Sequence, residues 1–257
     1  MTETVKLRSL RSAEKRRPSL FWVLATLILP LWSLMARYRF TPASKLPQSG
    51  PFIIAPNHFS ELDPIAMGAA VWHLGRAPRF MAKASLFKVP VLGALMRSTG
   101  QIPVERTGAI PSRDGKNPMG AAAQLIEQEA AVVVYPEGTL TRDPGLWPMR
   151  GKSGAVRLAL ESGVPLIPAA HWGTEKLMPR YAKRIRPFPR KTIEVAIGEP
   201  LDLSKFKDRT LDQQTINEAT SLLMDAITAL LAELRGEEPP AERWDPSKHQ
   251  QSETGRF

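Results

Sequence analysis

Two side chains of complementary chemistry stand five positions apart in the segment Asn57-His58-Phe59-Ser60-Glu61-Leu62-Asp63. An imidazole held by a carboxylate is oriented and has its protonated form stabilised, as a general base working near neutral pH requires. Five residues turn about 140° around an ideal helix, so one helix would not face both inward. A loop closing onto the next helix would bring them together. The plainer alternative is an ordinary loop histidine, followed by an aspartate capping a helix that starts at Pro64. Three more segments carry polar groups just past apolar runs: Gly100-Gln101-Ile102-Pro103-Val104-Glu105-Arg106, then Tyr135-Pro136-Glu137-Gly138-Thr139 with Arg142 close behind, then Val164-Pro165-Leu166-Ile167-Pro168. Each alone is weak, since a lone arginine is usually a solvated charge and Pro136 with Gly138 could mark only a turn.

The elements needed to position these groups alternate along the chain. Apolar runs at 51–56, 79–83, 101–105, 131–136, 164–170 and 192–198 read as strands. Helices are expected from Pro64 to about Leu74, with Asp63 at the cap, and over 89–98, 117–129, 153–162 and 211–235. The last places Ile216, Leu223, Ile227, Leu230, Leu231 and Leu234 on one stripe. This alternation implies an α/β domain with a mixed, mostly parallel central sheet flanked by helices. In such folds, loops beyond the carboxyl ends of the strands carry function. One domain over 39–235 is the simplest division, with a polar, proline-bearing and disordered tail over 236–257.

Of 257 residues, 35 are Lys or Arg and 25 Asp or Glu, a net charge of +10, so an anionic partner is expected. The chain has no zinc-finger spacing, aromatic RNA-binding strand motif or basic zipper, so nucleic acid is the weaker choice. With no cysteine there is no disulfide, zinc-thiolate site, iron–sulfur cluster or thiol nucleophile. Four histidines without spaced carboxylate partners make a poor metal site, and none is expected. Residues 1–17 form a basic arm, and 18–36 run for 19 residues without a charge. As a helix this stretch is roughly 28 Å long, at the lower limit for a membrane crossing. Pro30 should kink or break it. Trp22 and Trp32, with basic flanks, suggest that 1–38 comprises the basic arm and a helix or helical hairpin seated in one leaflet; a buried core helix is the alternative.

Taken in order, the four segments resemble the glycerolipid acyltransferase family, in particular its 1-acylglycerol-3-phosphate acyltransferase branch. His58 and Asp63 match its His-x4-Asp block, and Gly100, Ile102 and Arg106 its second. Pro136 to Thr139 match Pro-Glu-Gly-Thr, and Val164 to Pro168 match Val-Pro-φ-φ-Pro. Relatives usually place arginine directly after the threonine, whereas this chain has Leu140, with Arg142 the nearest substitute.

The resemblance implies direct acyl transfer with His58 as general base and Asp63 fixing its tautomer. The donor is an acyl-CoA or acyl-carrier-protein thioester, used as co-substrate with no cofactor. The acceptor is 1-acyl-glycerol 3-phosphate or, alternatively, glycerol 3-phosphate or another lysophospholipid; a thioester or ester hydrolase is the competing class. Arg106 is the first candidate for the acceptor phosphate and Lys83 the second. Glu137, Gly138 and Thr139 would form the acceptor-binding turn, although Glu137 could instead bond nearby backbone amides. The run Arg180, Lys183, Arg184, Arg186, Arg190, Lys191 would attract anionic lipids or a coenzyme A phosphate. A membrane-associated protein at the cytoplasmic face follows as the expected location.

Overall fold

The computed structural model describes residues 20–104, 129–207 and 209–252. The basic arm, Arg106 and the helix expected over 117–129, except Glu129, lie outside the described residues. Within them, β1 (Ala36–Phe40), β2 (Phe52–Pro56), β3 (Pro78–Lys83), β4 (Ile102–Val104), β5 (Ala131–Val133), β6 (Leu166–Trp172) and β7 (Lys191–Ile197) form one sheet. Their order is β1-β7-β6-β2-β5-β3-β4, and every neighbouring pair is parallel except β6 with β7. The helices are α1 (Leu20–Met35), α2 (Asp63–His73), α3 (Leu92–Ser98), α4 (Gly154–Ser162), α5 (Thr174–Leu177) and α6 (Gln213–Arg235).

The central strands are continuous apolar runs because both faces of the sheet are covered. Phe52 and Ile54 of β2 point with Val133 of β5 and Ile167 of β6 toward Ala66, Met67 and Ala70 of α2. Ile53 and Ala55 point the other way, with Val132, onto Val156 of α4 and Leu223 and Ile227 of α6. Four of the six residues expected on the α6 stripe, Ile216, Leu223, Ile227 and Leu231, are fully buried. Asp212 caps this helix by accepting from the Thr215 N–H at 2.7 Å, and Gly236, at φ 63°, ends it in the left-handed conformation.

Three expectations are corrected. First, the uncharged N-terminal segment forms one helix that continues through Pro30 and hands directly to β1, the edge strand paired with β7. Its tryptophans turn toward protein: Trp32 is buried and donates to the Tyr38 hydroxyl at 2.8 Å, and Trp22 meets Trp72 edge-on at 5.5 Å. Val23, Leu27, Leu31 and Leu34, at spacings of four, four and three, face outward instead. No helix among the described residues is long and apolar enough to cross a membrane.

Second, Asp63 is the first residue of α2 rather than its cap. Its carboxylate reaches back to the N–H groups of Phe59 and Ser60 instead of forward into its own first turn. Third, the chain beyond α6 packs instead of running free over its described part. The Arg150 N–H donates to the Trp244 carbonyl, Arg243 pairs with Asp225, and Trp244 stacks on His249 at 3.6 Å.

Candidate active site

Three neighbouring parallel strands, β6, β2 and β5, deliver their carboxyl ends to one edge of the sheet. The loop after β2 carries His58, the loop after β5 carries 135–141, and β6 carries His171 as its last residue but one, with Thr174 just beyond. Asn57 fastens the first to the last. Its side-chain N–H donates to the His171 carbonyl at 3.1 Å, and its oxygen accepts the His171 N–H at 2.9 Å.

Asp63 is fully buried at this junction. Its Oδ2 lies 2.9 Å from His58 Nδ1 and accepts the N–H groups of Phe59 at 2.7 Å and Ser60 at 2.8 Å. Oδ1 accepts the Thr174 hydroxyl at 2.6 Å. Burial alone would raise its pKa, but His171, His58 and Thr174 together outweigh it and hold the carboxyl below its ordinary value. An ionised Asp63 only accepts, so His58 carries its proton on Nδ1 and keeps an Nε2 lone pair. That is the tautomer a general base needs. The imidazole is stacked on Tyr135, ring centroids 4.2 Å apart.

His171, also fully buried, lies 3.7 Å from Asp63 Oδ1. Burial pushes its pKa down more than Asp63 raises it. Its Nε2 faces the Asn57 carbonyl at 3.2 Å, an acceptor, which places the proton on Nε2. His171, Thr174 and Asn57 thus form a buried support for Asp63.

Glu137 is likewise buried, and its oxygens accept the N–H groups of His58 at 3.0 Å and Met149 at 3.1 Å. The alternative reading, that it bonds nearby amides, is the geometry observed: it clamps the His58 backbone to the 149–152 segment. Burial, outweighing these donors, pushes its carboxyl up to about 8. A second clamp is the Thr141 N–H donating to the His58 carbonyl at 2.7 Å. Gly138 takes φ 68°, where a side chain is strained.

One cavity of about 1700 Å³ takes in His58, Tyr135, Glu137, Gly138 and Thr139. Its apolar arm runs between α1 and the sheet, with Leu24 and Ile28 on one side and Phe80 and Met81 of β3, together with Trp72 of α2, on the other. Of the residues expected to bind the acceptor, Arg142 is outside this wall. It is buried, and its guanidinium donates to the Tyr181 hydroxyl at 2.6 Å. Lys83 ends β3, its backbone in register with Val104.

A mixed α/β sheet presenting a carboxylate-held histidine at its strand ends, beside a long apolar cavity, defines a class of enzyme-like site suited to acyl groups. The comparisons narrow the class. The acyltransferase family model matches residues 37–172, and the chain belongs to that family. Among curated relatives, the chloroplastic 1-acyl-sn-glycerol-3-phosphate acyltransferase of Brassica napus is 30% identical over 184 residues, 69% of this chain and 50% of that one. The 1-acyl-sn-glycerol-3-phosphate acyltransferase of Bacillus subtilis (strain 168) is 30% identical over 161 residues, 63% of this chain and 72% of that one. The chain spans about half the length of the first curated relatives it matches. In fold it is similar to the crystal structure of the 1-acyl-sn-glycerophosphate (LPA) acyltransferase PlsC from Thermotoga maritima. The TM-score is 0.59 at 19% identity, over 80% of this chain and 76% of that one.

Proposed function

We propose that the protein transfers a fatty acyl group from an acyl thioester to the free hydroxyl of 1-acyl-glycerol 3-phosphate, giving phosphatidic acid. The observation that carries this is the 2.9 Å His58–Asp63 contact in the wall of a cavity large enough for an acyl chain. His58 Nε2 takes the proton of the acceptor hydroxyl as its oxygen attacks the thioester carbonyl. Asp63 stabilises the imidazolium formed, the tetrahedral intermediate collapses, and the thiolate leaves with little need of acid assistance. No acyl-enzyme is required. The apolar arm between α1 and the sheet accommodates fatty chain, supplied by acyl-CoA or an acyl carrier protein. The names of the curated relatives support the lysophosphatidate acceptor.

The same reading places the protein on a membrane, at the cytoplasmic face where thioester donors reside. The outward row Val23, Leu27, Leu31 and Leu34 of α1 supplies an apolar face. Arg190 donates to the carbonyl of Ala36, the first residue of β1 directly after α1, which brings the basic segment alongside. In that segment Ile185 and Phe188 are exposed among Lys183, Arg184 and Arg186, a composition that suits anionic headgroups.

Purified protein given labelled acyl-CoA with lysophosphatidate and, in parallel, glycerol 3-phosphate tests the assignment. Phosphatidic acid from the lysolipid is expected. Product from glycerol 3-phosphate alone would move the enzyme one acylation earlier, and free fatty acid without transfer would favour a hydrolase.

A further inference from the structure

We propose that Lys152 binds the phosphate of the acceptor and supplies the positive charge that the 136–140 turn itself lacks. This rests on the lysophosphatidate reading above. Thr139 is followed by Leu140, which is 8% exposed and turned into the protein, so the turn contributes no cation of its own. Lys152 reaches the turn from the neighbouring segment. Its N–H donates to the Pro136 carbonyl at 2.7 Å, and three residues earlier Met149 is bonded to Glu137. The lysine stem lies across Gly138: a Cβ at that glycine would stand 3.1 Å from Lys152 Cδ and 3.5 Å from Nζ. The ammonium is therefore held over the turn that borders His58, in the wall of the same cavity.

Among the described residues the other cations lining that cavity are already engaged. Arg150 pairs with Asp245 at 3.3 Å, Arg157 with Glu161 at 3.8 Å, and Arg243 with Asp225 at 2.5 Å. Among the described residues Lys152 has no carboxylate partner, and Glu137 beside it has both oxygens committed to backbone N–H groups. A half-buried lysine without a counter-ion, held beside the general base by its own stem and backbone, suits a phosphate monoester on the substrate. Thr139 lines the same cavity.

Lys152→Met keeps the stem over Gly138 and removes the charge, and Lys152→Arg keeps the charge. Losing one charge-assisted contact should raise KM for lysophosphatidate about 10-fold to 100-fold. KM for acyl-CoA and Tm should be unchanged, with Arg restoring most of the loss. With uncharged 1-acylglycerol as acceptor, intact and Met proteins should perform alike. Lysophosphatidate affinity, measured by tryptophan fluorescence in a His58→Ala background, gives a readout independent of turnover. An unchanged KM and affinity in Lys152→Met, or a rise confined to acyl-CoA, would overturn the assignment. Lys152-dependent binding without phosphatidic acid formation by the intact protein would keep the phosphate site and sink the functional reading instead.

Discussion

Replacing Asp63 with asparagine removes the negative charge beneath His58 while leaving an oxygen for its N–H. A carboxamide oxygen in the Oδ2 position still accepts from His58 Nδ1, Phe59 and Ser60. Its NH2 then faces the Thr174 hydroxyl, which need only rotate to accept. The stability cost is accordingly small, about 1 kcal/mol. The catalytic cost is not. A carboxylate and an imidazolium about 4 Å apart interact by about 4 kcal/mol at an effective dielectric of 20, and losing that from the transition state lowers kcat about 1000-fold. Asp63→Ala, by contrast, strips acceptors from two buried N–H groups and one hydroxyl, at about 1–3 kcal/mol each. At about 2–4 °C per kcal/mol, it should melt about 10 °C or more lower. Acyl-transfer kinetics and calorimetric melting on both variants separate the two roles. Asparagine retaining more than a tenth of kcat, or both variants melting alike, would refute the reasoning.

The Glu137 carboxyl is raised from 4.5 to about 8 in the folded protein, so folding retains a proton there. Its contribution to stability is complete below pH 4.5 and lost as pH rises through about 8. Glu137→Gln forfeits one backbone acceptor, about 1–3 kcal/mol, and the Tm advantage of the intact protein should shrink between pH 5 and 8.5; a constant difference would contradict the assignment. On the outer face of α1, Leu27→Ser and Leu31→Ser remove side chains 63% and 66% exposed, so Tm should hold. Vesicle binding should weaken roughly 10-fold per residue, from about 1.5 kcal/mol or more per leucine buried in lipid. Equal partitioning of intact and variant protein into phosphatidylglycerol-containing vesicles would remove α1 from the membrane face.

The contact between His58 and Asp63 was legible because its cause is local. His58 and Asp63 lie in one short loop, and the strands flanking them are apolar runs because a parallel sheet is covered on both faces. β1 was missed although ARYRF alternates apolar residues with arginines as a half-exposed strand does; its two arginines were read as the basic flank of the uncharged segment before it, and its place in the sheet rests on pairing with β7, more than 150 residues away. The inward turn of Trp22 and Trp32 depends on partners, Trp72 and Tyr38, that helix periodicity does not name. His171 and Thr174 escaped for a similar reason. Their signal was a histidine closing the apolar β6 run, but their contact with Asp63 follows from the register Pro56↔Ala169, which no local pattern encodes. The role of Glu137 turned on the position of Met149, twelve residues further along. The described part of the tail is polar in sequence, yet Arg150 and Asp225 hold it through Trp244 and Arg243.

The most direct test of His58 as the base is kcat for transfer from acyl-CoA to lysophosphatidate by the intact protein and by His58→Ala, each first shown to melt at the same temperature. The account predicts phosphatidic acid from the intact protein and a loss of at least about 100-fold in kcat in the variant. Comparable kcat from both proteins would contradict it.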